Sequence, residues 1–146
     1  MRPERSLADR LAMVLALFLG FAGVMHFVSP RFFNDIVPPW LPPNELFWTW
    51  VSGAAEIVVA AMIVRRSTRR RGAILAAWLF VAVYPANLYM TWDWRDRTTA
   101  EQVVSWVRLP FQFLFIWAAV HVARHTSGPD RPPIPGDVDG YPDRAR

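Results

Sequence analysis

The chain has 146 residues, 53% of them hydrophobic and 14% aromatic, with a formal net charge of +4 and a mean hydropathy of +0.17. It contains no cysteine, which excludes structural disulfides, thiolate metal sites and thiol redox chemistry by this chain alone. All 16 basic residues are arginine. They flank long apolar runs and leave no soluble basic fold, which argues against nucleic acid as a partner in spite of a pI near 10.6.

Residues 1–10 form a basic leader with Arg2, Arg5 and Arg10. Residues 11–28 are apolar except for His26 and would extend about 27 Å as a helix, close to the hydrocarbon thickness of a bilayer. The same start could be read as a signal peptide, with Gly20 and Ala22 at a cleavage site. Cleavage there would remove a helix together with Gly20 and Gly23, small residues that allow close helix packing, so the segment is read as a first span.

Residues 29–44 carry Pro30, Pro38, Pro39, Pro42 and Pro43, which remove backbone donors and push their neighbours toward extended geometry. Phe32, Phe33, Ile36, Val37 and Trp40 give the segment apolar faces. A short amphipathic turn at the interface, followed by a stiff proline strap, is the expected result. It would form a lid over one end of the bundle.

The second span covers residues 46–64 and runs into the basic loop Arg65-Arg-Ser-Thr-Arg-Arg-Arg71. The third covers about 73–91 and is interrupted by Pro85; the fourth covers 103–122 and is interrupted by Pro110. Between them residues 92–101 form a polar loop with two tryptophans. The membrane domain thus extends over residues 11–125. Beyond it, residues 126–146 are rich in proline, glycine, aspartate and arginine, with too little apolar surface to order a tail. The fold class expected is all-α, a four-transmembrane-helix bundle with an amphipathic proline-rich loop and a disordered tail.

Arginine placement sets an orientation. The leader, the 65–71 loop and the tail hold most of the arginines, and the opposite side has Arg31, Arg95 and Arg97. The positive-inside rule then puts both termini in the cytoplasm of a multi-pass cell-membrane protein. Trp40, Trp48, Trp50, Trp92, Trp94 and Trp106 all fall near the outer boundary, where an aromatic belt is expected.

With that topology the polar residues inside the spans gather in the outer half. Glu56 lies at the middle of the second span, where a carboxylate costs about 2.5–3.5 kcal/mol to insert and therefore needs a partner or a function. Ser52 and Thr49 lie above it on the same face. His26 is near the outer end of the first span, Asn87 and Tyr84 in the outer half of the third. Arg108 and Gln112, spaced i, i+4, share a face of the fourth. Pairing of Glu56 with Arg108, directly or through Gln112, is the cheapest remedy for two lone charges. His26 and Asn87 would complete a pocket beneath the lid. Each residue also has a structural reading: Asn87 and Gln112 as interhelical glue, His26 as a solvated side chain, Arg108 snorkelling to the head groups. His26, Glu56 and His121 could be imagined as metal ligands, but His121 falls at the other end of the bundle, so no metal is expected.

Five blocks, Gly23-Val-Met-His-Phe27, Val37-Pro-Pro-Trp-Leu-Pro42, Ser52-Gly-Ala-Ala-Glu-Ile57, Tyr84-Pro-Ala-Asn-Leu-Tyr-Met90 and Arg108-Leu-Pro-Phe-Gln112, resemble in order and spacing the motif series of small DoxX-like membrane proteins. The resemblance covers residues 11–122. It implies a four-helix membrane bundle, and its motif residues coincide with His26, Glu56, Asn87, Arg108 and Gln112. Wider relatives are membrane subunits of a thiosulfate:quinone oxidoreductase, or membrane partners that link superoxide-detoxifying and thiol-handling enzymes.

Two functions compete on these residues. In the first, the pocket takes a quinone-like head group, as part of an oxidoreductase system with a soluble or membrane redox partner. Glu56 or His26 is then the proton acceptor, and Arg108, Asn87, Gln112, Tyr84 and Ser52 bind the ligand. An apolar tail would lie among Phe111, Phe113, Phe115, Trp117 and Trp78. In the second, the bundle binds another lipophilic molecule, or serves as an assembly subunit, without chemistry. No Walker loop, dinucleotide fingerprint, zinc spacing or nucleophile elbow appears in the sequence, which favours a binding or accessory role over a self-sufficient enzyme. Transport is the weakest reading, with four helices and no inverted repeat.

Overall fold

The computed structural model describes residues 6–126. Four helices dominate it: α1 (Leu7–Val28), α3 (Glu45–Val64), α4 (Arg69–Asp93) and α5 (Thr99–His125), with a short α2 (Pro30–Asn34) between the first two and a single 3₁₀ turn (Trp94–Asp96) between the last two. All four are long and apolar enough to cross a membrane, which makes the chain a multi-pass membrane protein of all-α architecture. Helix α1 begins inside the expected leader, at Leu7, with Ser6 as its cap, its hydroxyl accepting from the Asp9 amide at 3.2 Å. Residues 1–5 and the expected disordered tail from 127 onward lie outside the described residues.

Pro85 and Pro110 both lie inside continuous helices. A bundle can carry a proline where neighbouring side chains take up the slack in the backbone hydrogen bonds. The starts of α3 and α5 are set locally. Asn44 accepts from the Phe47 amide at 2.9 Å. Thr98 and Glu101 form a reciprocal capping box that satisfies two orphan donors of α5.

The helices form a ring in the order α1, α3, α4, α5. Contacts are densest between α1 and α3 and between α4 and α5, and thinnest between α1 and α5; α3 stands diagonally across from α5. The two ends of this ring are packed differently. Toward the end where α3 turns into α4, the core is solid and rich in alanine: Ala12, Ala16, Ala60, Ala73, Ala76, Ala118 and Ala119 let the backbones approach, with Leu15, Leu19, Ile63 and Val122 filling between them. At this end Arg69 ties the helices together. It donates to the Ile63 and Val64 carbonyls at the C-terminus of α3 and reaches Asp9 of α1 at 2.6 Å.

The other end is closed by the 29–44 segment, and here the tryptophan expectation needs correction. Trp94 is only 3% exposed. It sits with Ile36 and Met90 in a small separate core, against Phe33 and Ala86, instead of standing in an interfacial belt. The 3₁₀ turn swings it inward under the lid. Trp40, Trp50, Trp92 and Trp106 are exposed, as belt residues are. Arg97 covers the Trp94 ring at 4.4 Å and lies near three carboxylates, Asp35 of the lid at 3.5 Å, Glu101 at 3.6 Å and Asp93 at 4.0 Å. The lid is therefore latched to the 3₁₀ turn and to α5 by a single guanidinium. Individually, half-exposed ion pairs and a cation–π contact are each worth up to about 1 kcal/mol. Arg97→Gln should raise amide hydrogen exchange of residues 30–44 by about tenfold while leaving exchange in the alanine core unchanged; unchanged exchange in the lid would show that the latch carries no load.

Candidate functional site

Where α1 and α3 cross, neither has room for a side chain. A Cβ on Gly53 would lie 2.6 Å from the Cβ of His26 and 3.0 Å from the Gly23 carbonyl. One on Gly23 would lie 2.8 Å from the Gly53 carbonyl. This glycine-on-glycine crossing sets His26 one turn along α1 beside Glu56, one turn along α3. His26 Nδ1 stands 3.3 Å from Glu56 Oε2 and 2.8 Å from the Ala22 carbonyl oxygen. Because a carbonyl can only accept, Nδ1 carries the proton, and the neutral ring then presents Nε2 as an acceptor. Phe33 of the lid stacks on the imidazole at 3.7 Å, which fixes the ring plane.

The α4/α5 side carries a second polar pair. Asn87 Nδ2 donates to Gln112 Oε1 at 2.8 Å, and Gln112 Nε2 donates in turn to the carbonyl oxygen of Phe80. Both side chains are buried. Phe80 lies in the turn before Pro85, so Gln112 braces the part of α4 that the proline loosens.

Between these two pairs lies a cavity of about 780 Å³, within the size range of small-molecule sites. His26, Ser52, Glu56, Asn87, Arg108 and Gln112 all line it, with Thr49 at its lid end. The Thr49 hydroxyl donates to Asn34 Oδ1 of the lid at 2.7 Å. Phe115, stacked on both Phe18 and Phe80, closes the cavity toward the alanine core.

Four expectations from the sequence are corrected by this arrangement. Glu56 and Arg108 do not form a contact pair. They stand on the diagonal helices α3 and α5 with the cavity between them, and Glu56 takes its close neighbour from α1, the helix that α3 touches most. Gln112 does not relay between the two charges, since its amide is engaged on α4. Tyr84 is absent from the cavity wall. It packs edge-on against Phe113 at 5.4 Å, because at about 100° per residue it lies beyond the Phe80 edge of the stripe Phe80, Val83, Ala86 and Asn87, about 100° from the stripe's centre. The aromatic path differs as well: Phe111 and Phe115 line the cavity, but Phe113, Trp117 and Trp78 do not. His121 stacks on His125 at 4.1 Å on α5, so it is not brought to His26 and Glu56.

Glu56 and Arg108 both remain open inside the cavity. Glu56 Oε2 is buried and makes no hydrogen bond among the described residues. Arg108, half-buried on the opposite wall, likewise makes no hydrogen bond and has no carboxylate within 4.0 Å among them. An acceptor and a five-armed donor thus face one space. The exposed parts of the wall all belong to two sides of it: Phe18 and Phe21 from α1, Phe32 from α2, and Val107 and Phe111 from α5, with Phe21 at 69% and Phe111 at 50%. The lining residues of α3 and α4 are covered. The cavity opens sideways along the thin α1/α5 seam, onto the face that a bilayer would occupy.

A family model described as a domain of unknown function, DUF8561, matches residues 15–123. The chain belongs to this family. The DUF8561 match takes in α3 and α4 whole, most of α1 and α5, the lid and every cavity residue named above. No curated protein and no solved structure matches the chain. The DUF8561 membership therefore carries no activity of its own, and the chemistry has to be argued from the cavity. The features least visible from the sequence are the latch, Arg97 on Trp94, and the Gly53 contact. The signal for the second was present in Gly23 and Gly53, each three residues before the polar residue it positions.

Proposed function

We propose that the bundle binds the polar head of a bilayer-dissolved amphiphile, a quinone being the class that suits it best, as a membrane subunit of an oxidoreductase system. One observation carries the reading: among the described residues Glu56 Oε2 and Arg108 both lack hydrogen-bond partners, and they line facing walls of a cavity that opens toward lipid. A buried polar group left unmade costs about 1–3 kcal/mol, and a ligand with a carbonyl for Arg108 and a hydroxyl for Glu56 relieves both. A quinol meets both with hydroxyls on opposite sides of one ring, one oxygen accepting from Arg108 and the other O–H donating to Glu56. The oxidised quinone keeps a carbonyl acceptor for Arg108 and meets Glu56 when that carboxyl is protonated. The Phe21, Phe32 and Phe111 opening gives an apolar tail a way out into the bilayer.

In this reading the chain supplies binding and proton handling. Arg108 polarises a bound carbonyl, and Glu56 with His26 holds or releases a proton at the opposite oxygen. Electrons come from a partner protein, since a chain without cysteine has no thiol couple of its own. The resemblance to DoxX-like proteins and the arginine distribution support this reading, the latter by favouring a cavity in the outer half of a cell membrane with both termini cytoplasmic. The same cavity serves equally for binding without chemistry, as in an accessory subunit, and the absence of catalytic motifs favours that as the second reading.

Titration of purified protein with a short-chain benzoquinone tests the ligand class. Saturation at a hundred times the dissociation constant should add about 2.7 kcal/mol to unfolding, and Arg108→Leu should remove most of that gain. If neither a benzoquinone nor a naphthoquinone moves the transition, the quinone reading fails. Mass spectrometry of small molecules retained by gently solubilised protein then reports which class of amphiphile, if any, the cavity holds.

A further inference from the structure

A second recess lies on the outer surface between α4 and α5, at the opposite end from the lid. On α4 it is lined by Arg70, Ile74, Ala77, Trp78 and Val81, and on α5 by Ile116, Val120, Ala123 and Arg124. Each set follows a helical stripe, with spacings of three or four residues. The helices run antiparallel, so Arg70 near the start of α4 and Arg124 near the end of α5 come to the same mouth of the groove. Neither arginine makes a hydrogen bond or ion pair among the described residues. Arg69 next to them is fully used on Asp9 and the α3 carbonyls. Trp78 is 68% exposed along the groove, a large apolar surface that no other helix among the described residues covers.

We propose that this groove is a binding site for one anionic glycerophospholipid, its phosphate held between Arg70 and Arg124 and an acyl chain laid along Ile74, Trp78, Val81 and Val120. Length and charge both fit that occupant. From Arg70 to Val81 the stripe runs about 16 Å at 1.5 Å per residue, which is the depth of one leaflet of a hydrocarbon core about 30 Å thick. A paired guanidinium mouth above an apolar wall one leaflet deep matches a head group with its own chain, and a free phosphate would leave the wall uncovered. Basic recesses between spanning helices recognise acidic lipid head groups by charge and hydrogen bonding. The groove is separate from the lidded cavity and shares no residue with it, so it stands whether or not that cavity binds a quinone.

The experiment uses the full chain in nanodiscs of phosphatidylcholine containing phosphatidylglycerol, with lipid retained after gentle solubilisation counted by native mass spectrometry. Wild-type protein should retain phosphatidylglycerol over phosphatidylcholine by about thirtyfold, at roughly tenfold per 1.4 kcal/mol for two surface arginines. The double substitution Arg70→Gln with Arg124→Gln should abolish the preference. Because both side chains are exposed and without partners among the described residues, its thermal unfolding in pure phosphatidylcholine should match wild type, and Arg70→Lys with Arg124→Lys should keep most of the preference. Brominated-chain phosphatidylglycerol should quench wild type more than Trp78→Phe. Equal retention of the two lipids, a preference that survives the double glutamine change, or displacement of the bound lipid by millimolar glycerol phosphate would overturn the proposal.

Discussion

Gly53→Ala should destabilise the bundle by about 1–3 kcal/mol, the usual cost of forcing one extra methyl group into a packed interface, and Gly20→Ala should cost almost nothing. The two glycines lie on the helices of the same pair, yet the space at each is different. A Cβ on Gly53 would come within 2.6 Å of the His26 Cβ and 3.0 Å of a backbone carbonyl, neither of which can swing aside. A Cβ on Gly20 meets only Ala60, at 3.8 Å, an ordinary van der Waals distance. Thermal unfolding in detergent separates the cases, and Gly20 controls for the general effect of adding a methyl group in a membrane helix. Separation of α1 from α3 should also pull His26 from Glu56, since their 3.3 Å contact lies next to the crossing. Gly53→Ala should therefore weaken ligand binding beyond the loss in stability. Equal unfolding temperatures for the two variants would mean that α1 and α3 can separate without cost, and the account of how His26 meets Glu56 would be lost.

That crossing also shows what a sequence can and cannot convey about such a bundle. The spans are legible because a run of about 20 apolar residues has few other uses, and the four candidate segments agree with the four long helices to within a few residues, apart from the longer polar ends of α4 and α5. Glu56 is legible because a lone carboxylate stands out against aliphatic neighbours. Its neighbour is not legible. Coulomb's law asks for an opposite charge and so points to Arg108, but ring order places α3 diagonal to α5, and only the packing of Gly23 on Gly53 reveals His26 as the group beside it. Register between two helices is a property of both surfaces together and is written in neither alone. Trp94 is a similar case. A tryptophan at the end of a span usually marks the interface, but the 3₁₀ turn at Trp94–Asp96 rotates this one inward, where it anchors the lid under Arg97. Tyr84 fails for a simpler reason: one turn from Asn87 in sequence is not the same face once the width of the cavity wall is considered.

Glu56→Leu should raise the unfolding temperature of the ligand-free protein and at the same time abolish any quinone-dependent shift, and this opposition is the sharpest test of what Glu56 is for. The side chain is 14% exposed, and Oε2 has no hydrogen-bond partner among the described residues. Relief of such a group by an apolar side chain of similar reach should recover about 1–3 kcal/mol. Gln112→Leu makes the opposite case. It would strip a hydrogen bond from Asn87 and another from the Phe80 carbonyl, both buried. Interhelical hydrogen bonds in membranes average about 0.6 kcal/mol each, so that substitution should lower stability by about 1 kcal/mol. The pair of variants thus distinguishes a residue kept for binding from one kept for packing. Natural chains retain a destabilising group where activity needs it, and a carboxylate oxygen with no hydrogen bond among the described residues, beside a histidine and facing an arginine across a lipid-accessible cavity, has that character. If Glu56→Leu instead lowers stability as Gln112→Leu does, Glu56 is a structural element of the α1/α3 crossing. Arg108 is then the charged group by which the cavity holds a ligand. In that case a molecule with a single acceptor group, lacking any hydroxyl, should bind the Glu56→Leu variant as well as it binds wild type.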